Sequence, residues 1–310
     1  MRVATGLCIA GCYTVIEAWM QAKLTNDIRG RAMGTYRVVD MGGSLVAQLM
    51  IGVLAPASYV SYNLLAILCC ASLLPLALTR AAQPETPSTP RLRPMLAVAR
   101  SPLAAAGVVV AGLTSGAFRM VGPIYGQEMG LPAGQLGFFL AAYVLGGALA
   151  QYPAGWLADK FDRRRVLIGF SAASVLVCGV TVAVGRVSPA GIMLMAGVFG
   201  MTSFPIFSIS SAHAHDFAKS SERVELSAAL MFFYALGAIA SPLISSNLIA
   251  HFMPAALFFF LAFAHIVLVG YGLMRMRSRP GAATRTNYVY APRTSFLIGR
   301  LMGKQRDRRN

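Results

Sequence analysis

Nine apolar stretches, separated by short breaks, constrain this chain more than any other feature of it. A helix needs about 20 apolar residues to cover a hydrocarbon core roughly 30 Å thick. Stretches near residues 3–20, 33–55, 58–79, 102–126, 134–158, 166–185, 190–213, 225–247 and 253–274 qualify. Composition agrees, because 56% of the 310 residues are hydrophobic and only 12% are charged, against about 25% charged in soluble domains. A water-soluble fold this apolar would expose patches far above the few hundred Å² that soluble monomers tolerate. The expected fold is therefore an all-α membrane bundle of about nine transmembrane helices, with the lipid bilayer as its first partner.

The formal net charge of +16 suggests nucleic acid at first sight, but the cations sit in clusters between apolar runs and in the tail. That placement fits the positive-inside rule and excludes nucleic acid as the expected partner. One set of breaks carries Lys23, Arg29 and Arg31; Arg80, Arg91, Arg93 and Arg100; Lys160 and Arg163 to Arg165; Lys219 and Arg223. The alternate set, near Ala57, Met129, Val187 and His251, holds one clear cation, Arg186. The first set reads as cytoplasmic and the second as external, with the N-terminus outside and the ten-cation tail from Arg275 to Arg309 in the cytoplasm. The compartment expected is the cell inner membrane.

At the N-terminus, Arg2 before an apolar run and the stretch Ile9 to Cys12 resemble a lipoprotein leader, yet the chain continues apolar past Cys12, which argues against cleavage there. The five cysteines, Cys8, Cys12, Cys69, Cys70 and Cys178, all lie within apolar stretches and read as small packing residues. Composition divides the chain into a partial N-terminal half at 1–80, a Pro- and Thr-rich linker at 81–101, a six-span half at 102–275 and a basic tail at 276–310. Phe296, Leu297, Ile298, Leu301 and Met302 amid the tail's arginines leave two readings open, an amphipathic helix on anionic lipid or a solvated tail.

The chain also resembles itself. The segment DIRGRAMGTYRVVDMGGSLVAQL aligns with KSSERVELSAALMFFYALGAIASPL, setting Arg29 on Arg223 and Gly43 on Gly237 at an offset of 194 residues. The second span then matches the eighth, which is the spacing of a parallel two-half repeat of six spans each. On that spacing the first half would begin about 92 residues ahead of Met1, so the nine spans read as four to twelve of a twelve-span fold.

After the fifth span the chain reads GWLADKFDRRRVL. This turn resembles the signature loop of the major facilitator superfamily: Gly155, Leu157, Asp159, Lys160, Arg163 and Arg164 match its pattern, and Asp162 departs from it, standing where the family has glycine. With GCYTVIEAWM, RGRAMGTYRVV, GGALAQYPAGWLADKFDRRRVL and FPIFSISSAHAHD, the chain up to about residue 275 is similar to a bacterial, mostly uncharacterised subgroup of that superfamily. The resemblance implies a major-facilitator-type bundle and a secondary active transporter of a small molecule, proton-coupled, with two halves rocking in alternating access. It also implies that Asp159 meets the N-terminus of the span opening around Arg31 to Gly34 when the cytoplasmic side closes. Asp216, at the end of the seventh span, is the expected partner of Arg163 or Arg164. The alternative is a truncated chain, or one with a misplaced start, that does not transport.

Ionisable groups inside spans cost about 2.5 to 3.5 kcal/mol each on insertion scales, so each suggests a role. Arg119 lies in the fourth span, which the resemblance makes a cavity-lining helix. It either holds an anionic substrate or carboxylate, or snorkels to the surface. Glu17 is either a proton site or an interfacial acid, and Arg37 with Asp40 is either a self-neutralising pair on one face or part of the proton path. His213 and His215 precede Asp216, but residues two apart on a helix point about 200° from each other, so no metal site is expected. His265 reads as a helix-interface histidine. Gly30 with Gly34, Gly112 with Gly116, and Gly146 with Gly147 read as close-packing faces, and Pro153, Pro205 and Pro242 as span interruptions. No hydrolase, zinc-protease or phosphate-loop motif occurs, so neither an enzyme nor a cofactor is expected.

Overall fold

The computed structural model describes residues 39, 42–50, 53–54, 58–78, 93–185, 188–218 and 222–278. These are helical, with turns between and no strand among them. The chain divides into two units, at 1–89 and 90–310. In the first, a helical stretch over 42–50 precedes α1 (Tyr59–Leu78). The first span, with Glu17, and the positions Arg37 and Asp40 of the second lie outside the described residues. On α1, Cys69 and Cys70 are free and exposed, whereas Cys178 of the second unit is buried as a packing residue.

The second unit opens with a short helix α2 (Met95–Arg100), followed by α3 (Pro102–Glu128), α4 (Leu136–Lys160), α5 (Arg163–Val184), α6 (Pro189–Ser203), α7 (Pro205–His215), α8 (Arg223–His251) and α9 (Ala256–Ser278). Six helical segments here are long and apolar enough to cross a membrane, with α6 and α7 forming one of them. Sequence signals set the starts. Ser101 accepts from the Ala104 N–H at 3.2 Å with Pro102 following, and Ser188 accepts from the Gly191 N–H at 3.3 Å ahead of Pro189. Helix α3 stops where Gly130 takes φ +94: the Gly130 N–H reaches Gln127 O and the Leu131 N–H reaches Gly126 O, both at 2.9 Å, closing a Schellman motif.

The helices associate in pairs, α3 with α8, α4 with α6, and α5 with α9. Lipid tails are as apolar as leucine, so burial of apolar surface does not drive helices together in a bilayer, and close van der Waals fit must do so. The first two pairs achieve it through glycine. A Cβ on Gly112 would overlap the Tyr234 carbonyl, and one on Gly237 would press on the Val109 carbonyl. In the second pair, Gly146 lies against the Gly197 carbonyl and Gly200 against that of Tyr143. Between the pairs lie two cores. One, near the α4–α5 turn, packs Val108, Leu167, Ile206, Leu226 and Leu268. The other is aromatic and centres on Phe118, whose ring lies 4.2 Å from Tyr143, 5.1 Å from Phe139 and 5.4 Å from Phe199.

The apolar stretches of α5, α8 and α9 are only 33%, 28% and 39% buried within the protein, so most of their side chains face outward. Leu176, Ile239, Leu243, Phe263 and Val267 are among the exposed apolar groups. That is the surface of a protein solvated by lipid.

The expectation that Pro153, Pro205 and Pro242 interrupt their spans holds only at Pro205, where α6 gives way to α7; Pro153 and Pro242 lie inside continuous helices. A proline leaves the carbonyl four residues earlier without its donor. At Pro242 the Ser241 hydroxyl donates to the Ala238 carbonyl at 3.4 Å, so the freed group is satisfied from within the helix. Phe204, at the one interruption, keeps helical dihedrals of −62° and −42°, so the span continues in direction through it.

Candidate functional site

The charged turn between α4 and α5 supplies the site. Gly155 and Ala158 of α4 are buried, and Leu157 packs against the adjoining core. Lys160 places its ammonium 4.8 Å from the Trp156 ring centre, a cation–π contact at the end of a span. Two extended residues make the turn: Phe161 (φ −110, ψ 169) and Asp162 (φ −61, ψ 120). Neither needs the left-handed conformation that favours glycine, so Asp162 fits where the family pattern has glycine. It also caps α5, accepting from the Arg164 N–H at 2.9 Å and from the Arg164 guanidinium at 2.7 Å.

Arg163 is the centre of the arrangement. Its guanidinium donates to Asp216 Oδ1 at 2.6 Å, to the Ala212 carbonyl at 2.9 Å and to Asp159 Oδ1 at 3.3 Å. The side chains of Arg163 and Asp216 are 1% and 2% exposed, whereas that of Asp159 is 46% exposed. One buried guanidinium thus ties the end of α4, the start of α5 and the end of α7 together. A buried ion pair is not in itself a net source of stability, because desolvation offsets the attraction. Its effect is positional, since each partner is fixed by the need to satisfy the other.

Further polar contacts surround it. Arg100 bridges to Glu222 at 2.5 Å and Arg93 to Glu225 at 3.4 Å, joining α2 to the start of α8. The second is exposed and contributes at most about 1 kcal/mol. His215 Nε2 lies 3.1 Å from Ser227 Oγ, and His213 packs edge-on to Phe217, so the two histidines have different neighbours. His265, fully buried in α9, pairs its Nε2 with Thr114 Oγ1 of α3 at 3.1 Å. Among the described residues no three of His, Cys, Asp and Glu converge as a metal site would require. The sequence named Arg163 and Asp216 but not the pairing of Arg93 and Arg100 with Glu222 and Glu225. The available signal was opposite charge in two breaks assigned to the same side.

Arg119 is exposed on α3, next to the exposed Met120 and four residues before Pro123. It lies well along α3, away from the start of that helix beside Arg100, so the structure does not bring it into that cluster.

Paired membrane-length helices, a lipid-facing apolar surface and a buried arginine at the turn define a multi-pass helical membrane protein. Comparison with known families makes this particular: the model of the Major Facilitator Superfamily matches residues 104–302. The chain belongs to the major facilitator superfamily of membrane transporters. Among curated relatives, the "Uncharacterized MFS-type transporter YcaD" of Shigella flexneri serotype 5b is 27% identical over 285 residues, covering 89% of this chain and 71% of that protein. The proteins of the same name from Escherichia fergusonii and Salmonella arizonae are 25% and 27% identical, each with 89% of this chain and 71% of the relative covered. No solved structure matches.

Proposed function

We propose that the chain is a secondary active transporter of a small molecule, driven by protons and working by alternating access between two helical halves in the cell inner membrane. In this reading the α4–α5 turn and the tail face the cytoplasm and the N-terminus of the chain faces outside. The observation that carries it is the Arg163 arrangement, which holds three helix ends as one body while leaving Asp159 partly exposed at that body's end. A rocking half must move as a unit, and such a buried hub supplies the required rigidity. Asp159 is then the group whose surroundings change during the cycle.

Arg119 is proposed to hold an anionic group of the substrate, because it is a cation at membrane depth on the helix that family membership makes cavity-lining. Glu17, Arg37 and Asp40 are the proposed proton-path candidates. The test is transport in proteoliposomes under an imposed pH gradient, screening small anions. Uptake or efflux that collapses with the gradient, and falls at least tenfold in Arg119→Ala, supports the proposal. Transport that ignores the gradient removes proton coupling, and unchanged transport in Arg119→Ala removes Arg119 from the site.

A further inference from the structure

Beside the Arg163 hub lies a second basic feature that the hub does not use. A narrow cleft, enclosing only about 20 Å³ and open at its mouth, is bounded by Arg100, Arg164, His213 and Arg275 together with the start of α3 at Ser101 to Leu103. The cations come from the ends of three helices, α2, α5 and α9. Arg164 is already engaged by Asp162, and Arg100 by Glu222. Arg275 has no carboxylate partner among the described residues, so the cleft keeps an excess of positive charge. The N-terminus of a 27-residue helix adds the positive end of its dipole at the same place.

An independent observation comes from His213. It is only 5% exposed, its ring lines the cleft, and no described residue hydrogen-bonds to that ring. Neither ring nitrogen of His213 is among the wholly buried unpaired atoms, so the ring is open to the cleft, where a group entering from outside can meet it. The cleft also sits where spans end, which is headgroup depth in a bilayer.

We propose that the mouth of this cleft binds a phosphate group, with Arg275 and His213 as its principal contacts and the α3 N-terminus behind them. Guanidinium forks suit phosphate because they offer paired donors in its geometry. The phosphate comes from an anionic lipid headgroup or from free phosphate, and the experiment separates the two.

The test uses the full chain in uncharged detergent, following thermal unfolding with phosphatidylglycerol, with phosphatidylcholine and with inorganic phosphate at matched ionic strength. Four proteins are compared: the unchanged chain, Arg275→Gln, Arg275→Lys, and a tail variant with Arg306, Arg308 and Arg309 all changed to Gln. Arg275 has no ion pair to lose among the described residues, so its variants should fold. Phosphatidylglycerol should raise the melting temperature saturably, phosphatidylcholine should not, and Arg275→Gln should weaken the apparent affinity by about tenfold or more, the effect of one charge-assisted hydrogen bond. Arg275→Lys should fall between, and the tail variant should respond as the unchanged chain does. If inorganic phosphate alone produces an Arg275-dependent shift, free phosphate is the source and the phosphate assignment stands. Equal responses of the unchanged chain and Arg275→Gln to every probe, or a loss confined to the tail variant, would overturn the proposal.

Discussion

Replacing Asp216 by Asn tests the hub most directly. Arg163 and Asp216 are 1% and 2% exposed and meet at 2.6 Å, so the substitution leaves a guanidinium buried without its closest counter-charge. Breaking a buried pair from one side costs about 3 to 5 kcal/mol. Two features lower that figure here: the Ala212 carbonyl still accepts at 2.9 Å, and Asp159, 3.3 Å away, remains as a weaker, half-solvated counter-charge. A loss of about 3 kcal/mol, at the lower end of that range, is therefore expected. The reverse single change, Arg163→Met, leaves Asp216 buried and should cost a similar amount, whereas Arg163→Met with Asp216→Leu together should cost less than either alone. The assay is equilibrium unfolding in mixed micelles by SDS titration, followed by tryptophan fluorescence and analysed as a double-mutant cycle. Single losses under about 1 kcal/mol with no coupling would refute the view that this pair holds the helix ends.

Other consequences are accessible by the same assay or by transport. Gly146→Val should sharply reduce folded yield, because its Cβ would meet the Gly197 carbonyl, whereas Gly169→Ala, with open space before it, should not; yield by size-exclusion chromatography checks both. Asp162→Ala should cost about 1 kcal/mol through loss of the α5 cap, and Asp162→Ser should restore much of it. Thr114→Val should destabilise by about 1 to 3 kcal/mol by leaving His265 Nε2 buried without its partner, and adding His265→Leu should recover part of that loss. Asp159→Asn should lower transport severalfold with little change in stability, since its side chain is half exposed; a stability loss matching that of Asp216→Asn would make Asp159 as essential to holding the hub as Asp216 and refute the separate role.

Much of the architecture was legible because bilayer solvation imposes long apolar runs, and those runs survive any detail of packing. The spans from residue 102 onward lie close to where hydropathy sets them, and the charged turn stands at the α4–α5 junction. Serine–proline pairs at 101–102 and 188–189, which the reading of the sequence did not single out, set helix starts for the local reason that a cap and a fixed φ act within one turn. Prolines misled, since whether one breaks a span depends on what satisfies the freed carbonyl, and at Pro242 that is its neighbour Ser241.

What this sequence determined by itself is everything set by distance along the chain: the position and length of the spans from residue 102 onward, the turn motif, and the glycine spacing that permits close contact. Tertiary structure alone decided which helices use those glycines, that Arg163 rather than Arg164 faces inward to Asp216 53 residues away, and that Arg100 finds Glu222 across 122. It also decided that His213 turns into a basic cleft while His215, two residues on, turns to Ser227. The physical reason is one of range. Hydropathy and capping act within a turn or a span, whereas an ion pair or an opened cleft exists only once separate helices have brought their ends together.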